Sequence, residues 1–278
     1  PSGISPSSWE PRDLDAFFDR LTEVSDRARL VDIAGNLYDE CLAFQDRSIG
    51  HFVERLRESG AWDRTLLVIA ADHSHFAAGL PVYASGAPPW PAPILASHKS
   101  RIPFIFVWPG KIPAGRRLKE QVSLVDLLPT VLELSGLPPP KTAQGRSLAP
   151  LLLGKRGWKP RPVVFDEFFT DGRDTWGSLE VVDGRWGASL RIDTRPDEKR
   201  PQGERLRPAP LLIFDVEQDP HAFRSLHRER PDLVRKYSKM LGRIWKEHYA
   251  LAATFDRERA KPLTPEQKEA LRSLGYIR

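Results

Sequence analysis

The sequence predicts an α/β layer portion followed by a smaller α+β appendage. Three observations carry this reading. A helical apolar pattern precedes two short, continuous apolar runs; a second helix follows them; and beyond about Arg161 the chain changes to short strands separated by turns. At 278 residues the chain can bury a substantial core. With 40% hydrophobic and 28% charged residues it is too apolar for a disordered chain. No run approaches the roughly 18 apolar residues of a membrane span.

Residues 1–30 are polar and mixed, with a short helix expected around Asp13–Arg27. Over Leu37–Ser59 the residues Tyr38, Cys41, Leu42, Ile49, Phe52, Val53 and Leu56 recur at helical spacing, and Gly60 supplies the stop. Thr65–Ala71 (TLLVIAA) suits a strand covered on both faces, and it ends in Asp72-His73-Ser74-His75. Ala77–Leu95 is rich in Gly, Pro and Ala, so regular structure is blocked there. Pro103–Trp108 reads as a second buried strand stopped by Pro109-Gly110, and a helix over Leu124–Leu134 is bracketed by Ser123 and Gly136.

The appendage begins near Gly154–Pro160, which divides the chain into units 1–155 and 156–278. Val163–Phe168, Leu179–Asp183, Trp186–Ile192 and Leu211–Val216 predict a small antiparallel sheet with a turn at Asp183-Gly184. The helix Asp232–Glu247 places Leu233, Tyr237, Met240, Leu241 and Ile244 on one face, ready to pack on that sheet.

The net charge is +5 and the isoelectric point about 9.4. The bases are interleaved with acids, as in Arg224–Arg230 and Arg257–Lys261, and no aromatic platforms stand among them, so no nucleic-acid interface is expected. An anionic substrate suits the same bias. The single cysteine, Cys41, rules out a disulfide within the chain, and its helical position predicts a core residue. Asp46 reads as a buried structural acid on the same helix, and Asp126 as a brace for its own. Pro1–Ser8 carries neither a basic start nor an apolar stretch, so no targeting signal is visible and the compartment stays open.

Chemistry concentrates at the end of the first strand. A buried strand delivers Asp72 and His73 at its carboxyl end, where α/β sheets place ligands. A carboxylate and a neutral imidazole suit a divalent cation, which can polarise an ester oxygen. A turn cap and a surface histidine explain the same two residues, and two ligands do not complete a metal site. His75, His98 and Lys99 flank the irregular loop: Lys99 can neutralise an anionic ester, and a histidine such as His98 can protonate a leaving oxygen. Trp90, Trp158, Trp176 and Trp186 suit either a cleft lining or the core.

Several blocks, in order, resemble the sulfatases. YDECLAFQDRSIGHFVERLRESGAWDRTLLVIAADH is similar to the sulfatase helix and strand that end in Asp-Asn or Asp-His. RIPFIFVWPGKIPAG, VSLVDLLPTVLELSGLPPP and GRSLAPLLLG resemble the blocks that follow, LLIFDVEQDP a strand of the C-terminal subdomain, and LTPEQKEALRSLGYI the tail. The matches run from about Leu37 to Ile277. The resemblance implies the C-terminal part of an alkaline-phosphatase-like sandwich with a small antiparallel-sheet and helix subdomain.

It further implies metal-assisted hydrolysis of a small-molecule or carbohydrate sulfate ester by a formylglycine made from Cys or Ser in a C/S-x-P-x-R motif. On this basis Asp72 and His73 are metal ligands, for Ca2+ foremost, with Mn2+ or Zn2+ as alternatives. His75 and His98 are catalytic candidates, and Lys99 binds the ester. The chain departs from the family in three ways. It has no C/S-x-P-x-R motif, and it lacks the acidic pair that completes the metal site. The family lysine and histidine also stand farther upstream of the second strand than His98 and Lys99 do here.

The first two departures are expected of a C-terminal portion whose preceding part carries nucleophile and acidic ligands, and otherwise of a catalytically dead binding homologue. Either way the isolated chain is expected to be inactive. A phosphoester or phosphonate hydrolase of the same superfamily is the nearest enzyme alternative. Oligomeric state stays open, and a periplasmic or secreted location is a family tendency only.

Overall fold

The computed structural model describes residues 27–74, 95, 97–170, 173, 175–193, 211–252 and 264–273. The helix expected around Asp13–Arg27 falls almost entirely outside them, as do His75 and Trp90.

The first helix, α1 (Arg27–Glu58), begins ten residues before the expected start at Leu37, since the added RARLVDIAGN holds no proline and its good helix formers outweigh Gly35. It ends at Gly60, whose φ of 67° lets the chain reverse while the Gly60 N–H donates to Arg57 O. Two expectations fail on this helix. Cys41 is exposed rather than core, and Asp46 is exposed rather than a buried acid. Leu42, Phe44 and Phe52 are 44, 60 and 53% exposed. The periodicity is real, but among the described residues the element packed on α1 is the short 3₁₀ turn Trp62–Arg64, which cannot cover so long a face.

Strand β1 (Leu67–Ala70) pairs antiparallel with β2 (Phe104–Val107), in the register Leu67↔Val107 to Ala70↔Phe104. Both strands were expected to be covered on two faces. Here Leu67, Val68 and Ile69 are half-buried, while Ala70 and Ile105 are exposed, since no helical layer among the described residues lies over the pair. The helix α2 (Ser97–Ser100) precedes β2.

A 3₁₀ turn, Leu124–Asp126, leads into α3 (Leu127–Leu134). Asp126 is the brace the sequence suggested. It is 2% exposed, and its carboxylate accepts from the Ser123 N–H at 3.1 Å, the Arg146 N–H at 2.8 Å and the Arg161 guanidinium at 2.5 Å. Thr130 extends the clasp, donating to Asp126 O and accepting the Leu148 N–H at 2.8 Å. This seats α4 (Ala149–Leu152), too short to read from periodicity, with Ala149 and Leu151 buried.

The four-stranded meander follows as expected, with the first three strands longer and the last shorter than read: β3 (Val163–Thr170), β4 (Thr175–Asp183), β5 (Trp186–Asp193) and β6 (Leu212–Asp215), in that order and all antiparallel. Gly184, at φ 61°, makes the β4–β5 turn. Strand alternation splits the apolar residues between two faces. Leu179, Val181, Ala188 and Ile213 meet Leu233, Tyr237, Leu241 and Ile244 of α5 (Pro231–Ala252), the face read from the sequence. Tyr237 is fully buried, and its hydroxyl donates to Asp183 at 3.2 Å. On the opposite face Phe214 packs with Leu95 and Ala222. Gln121 ties the two parts together, donating to Val182 O at 2.9 Å and accepting from Gly184 N–H at 3.2 Å. A final helix, α6 (Pro265–Ser273), closes the described chain.

Candidate functional site

The chain leaves β1 after Ala70 and turns at once, so Asp72 and His73 stand beyond the strand's carboxyl end, with side chains 80 and 76% exposed. Asp72 folds back on the turn and accepts the His73 N–H at 2.9 Å through Oδ1. The His73 Nδ1 lies 2.9 Å from Ser74 O. A carbonyl only accepts, so this contact places a proton on Nδ1, and in the neutral ring the lone pair is then on Nε2. Nε2 then sits 3.7 Å from Asp72 Oδ2.

That geometry suits a cation. Two ligands bound at about 2.4 Å and separated by this much subtend an angle near ~100° at the ion, within the flexible coordination of Ca2+. An Nδ1–H held by a backbone carbonyl is also the usual support of an Nε2 ligand. The donor set is incomplete: among the described residues no group of three or more His, Cys, Asp or Glu side chains gathers to hold an ion.

Lys99 is brought close through its backbone, since the Ser74 N–H donates to Lys99 O at 3.3 Å. Its ammonium is half-buried, and burial pulls its pKa below the usual lysine range; the charges of Glu167 and Glu180 partly offset that. His98 lies on α2, but its side chain, like the whole of His75, is outside the described residues. The described tryptophans are engaged in packing: Trp158 lies under Arg146, Trp176 stacks on Phe169, and Trp186 is flanked by Arg185 and Arg230.

Glu180 was not foreseen. A single carboxylate in a strand reads as a solvent-facing residue, yet this one is 1% exposed. Its oxygens accept the Leu95 N–H at 2.7 Å and the Ser189 hydroxyl at 2.8 Å. Both donors are distant or polar, so the only sequence signal was an acid between Leu179 and Val181.

The sulfatase family model matches residues 16–137. Human arylsulfatase D is 25% identical over 242 residues, covering 75% of this chain and 38% of its own length. The chain thus spans well under half of that relative. A solved 2-O GAG sulfatase superposes with a TM-score of 0.56 at 21% identity, covering 73% of this chain and 41% of the other. A phosphonate monoester hydrolase from Silicibacter pomeroyi superposes with a TM-score of 0.55 at 21% identity, covering 73% and 38%. The fold is therefore shared with part of each of these two solved hydrolases. Over the matched stretch, under half of its length, the chain is similar to sulfatases. Among the described residues no helix is long and apolar enough to cross a membrane.

Proposed function

We propose that the whole protein containing this chain hydrolyses sulfate esters with the help of a divalent cation, Ca2+ foremost and Mn2+ or Zn2+ as alternatives. The observation that carries the reading is the Asp72–His73 pair, with Oδ2 and Nε2 3.7 Å apart and Nδ1 committed to Ser74 O. A cation held there would polarise an ester oxygen and offset developing negative charge. Asp72 and His73 supply two ligands, Ser74 O keeps the imidazole in the ligating tautomer, and the exposed position lets an ester approach. Lys99 contributes positive charge to the ester side, and His75 or His98 protonates the leaving oxygen. The formylglycine nucleophile and the acidic ligands come from sequence outside these 278 residues, in keeping with coverage of only 38% of arylsulfatase D. The isolated chain is therefore inactive. The 2-O GAG sulfatase likeness favours a carbohydrate sulfate as substrate.

The test is turnover of 4-nitrophenyl sulfate by the whole protein. Asp72→Asn and His73→Ala are expected to lower kcat at least 100-fold, and Ca2+ or Mn2+ at ~100-fold over Kd should stabilise it by about 2.7 kcal/mol. Turnover by the isolated 278-residue chain would refute its inactivity. The phosphonate hydrolase likeness supports a second reading, hydrolysis of phosphonate or phosphate esters. Faster turnover of a phenyl phosphonate ester than of the sulfate would establish it. Absence of both turnover and a cation-induced melting shift would mean a non-catalytic binding protein.

A further inference from the structure

We infer that Glu180 is a positioning residue for His73, acting through the turn residue Leu95 and the short helix α2 to hold the imidazole in its cation-binding orientation. This rests on the metal role proposed above for the Asp72–His73 pair.

A run of contacts connects the two residues. Glu180 is fixed in the sheet by the Ser189 hydroxyl at 2.8 Å, and its other oxygen holds the Leu95 N–H at 2.7 Å. Leu95 is 3% exposed and packs with Phe214 and Ala222, so the start of the turn is pinned by both a charge-assisted hydrogen bond and apolar contact. The Ser100 hydroxyl donates to Leu95 O at 3.2 Å and closes the turn on itself. The turn presents Lys99 O to the Ser74 N–H at 3.3 Å, and Ser74 O in turn faces His73 Nδ1 at 2.9 Å.

The chemistry explains why an acid occupies this place. A buried carboxylate is costly unless its oxygens are satisfied. Each Glu180 oxygen has a hydrogen-bond donor, and the Lys99 ammonium acts on it electrostatically. An apolar residue at this position would pack with Leu95 but would leave its N–H unheld. The side chain of His73 is 76% exposed and, among the described residues, meets its neighbours Asp72 and Ser74, so its tautomer depends on where Ser74 O is held. Through that carbonyl the C-terminal sheet sets one ligand of a site built by the N-terminal part.

The experiment uses Glu180→Leu, which leaves the Leu95 N–H unheld, in the whole protein, with two readouts. The first is the ¹⁵N signature of the His73 ring in metal-free protein, above the imidazole titration. Wild type is expected to show the Nδ1–H tautomer and the variant a mixture. The second is Mn2+ affinity by calorimetry, expected to fall by about 10-fold, as for loss of a ligand's supporting hydrogen bond. If Glu180→Leu fails to fold, Glu180→Ala, which likewise leaves the Leu95 N–H unheld, decides by the same readouts in the same direction. A folded variant with wild-type tautomer and wild-type affinity overturns the proposal. Unchanged Mn2+ affinity in His73→Ala would sink the metal reading alone, because the tautomer, read without metal, still decides the role of Glu180.

Discussion

Replacing Asp126 by alanine should be among the most damaging single changes in the N-terminal part. The carboxylate is 2% exposed and holds three donors: the Ser123 and Arg146 N–H groups and the Arg161 guanidinium. Arg161 keeps 31% of its side chain exposed and recovers most of its loss from water. The two N–H groups do not, and hydrogen bonds to a charged acceptor contribute about 1.5–3 kcal/mol each. Taking the lower figure for two part-buried donors gives roughly 3 kcal/mol, at the low end of what breaking a buried pair costs. At ~2–4 °C per kcal/mol the melting temperature should fall by about 6–12 °C. Asp126→Asn, which keeps one acceptor, should lose roughly half as much. Thermal unfolding followed by circular dichroism measures both, and Asp46→Ala on the exposed face of α1 serves as control. A fall of under about 2 °C for Asp126→Ala would refute the reasoning, since water would then be satisfying both N–H groups.

Leu241, fully buried between α5 and the sheet, should cost about 3 kcal/mol when cut to alanine, read from urea unfolding. Gly177 has a φ of 153°, and a Cβ there would lie 1.8 Å from Glu167 O, so Gly177→Ala should push β3 off β4 and cost about 2 kcal/mol or more, seen as faster amide exchange across that ladder. Arg230 beside Asp232 holds that carboxyl down at about 2, and Arg185 likewise depresses Asp215. Both folded-state values lie below the unfolded one, so each stabilisation is present above about pH 4 and is lost in more acid solution, for Asp232 as the pH falls toward 2. Asp232→Asn should flatten that acid limb in a melting-temperature profile, and a slope identical to wild type would contradict the assignment.

The C-terminal part was legible because its code is local. Alternation across Leu179–Asp183 and the helical spacing of Leu233, Tyr237, Leu241 and Ile244 name opposing faces, and no third element is needed to cover them. The helix α1 was legible in type and not in burial: periodicity reports which residues share a face, and Cys41 and Phe52 stay exposed where no described element lies over it. The Asp72–His73 pair was singled out because its two side chains stand next to each other at the end of an apolar run. Glu180 was not, because its meaning lies in a hydrogen bond to Leu95, 85 residues earlier, and no residue type or spacing announces a buried acid.

The meander order also sets a sequence of events during synthesis. Each strand pairs with its predecessor, so β3, β4 and β5 can zip together through short closures as they are made, and β6 adds to a finished edge. The face bearing Leu179, Val181 and Ile213 stays wet until Tyr237 and Leu241 arrive on α5. A nascent chain halted before Pro231 therefore carries a completed sheet with an open oily side, and it is at this stage that the protein is most prone to stick to its neighbours or to need a chaperone's cover.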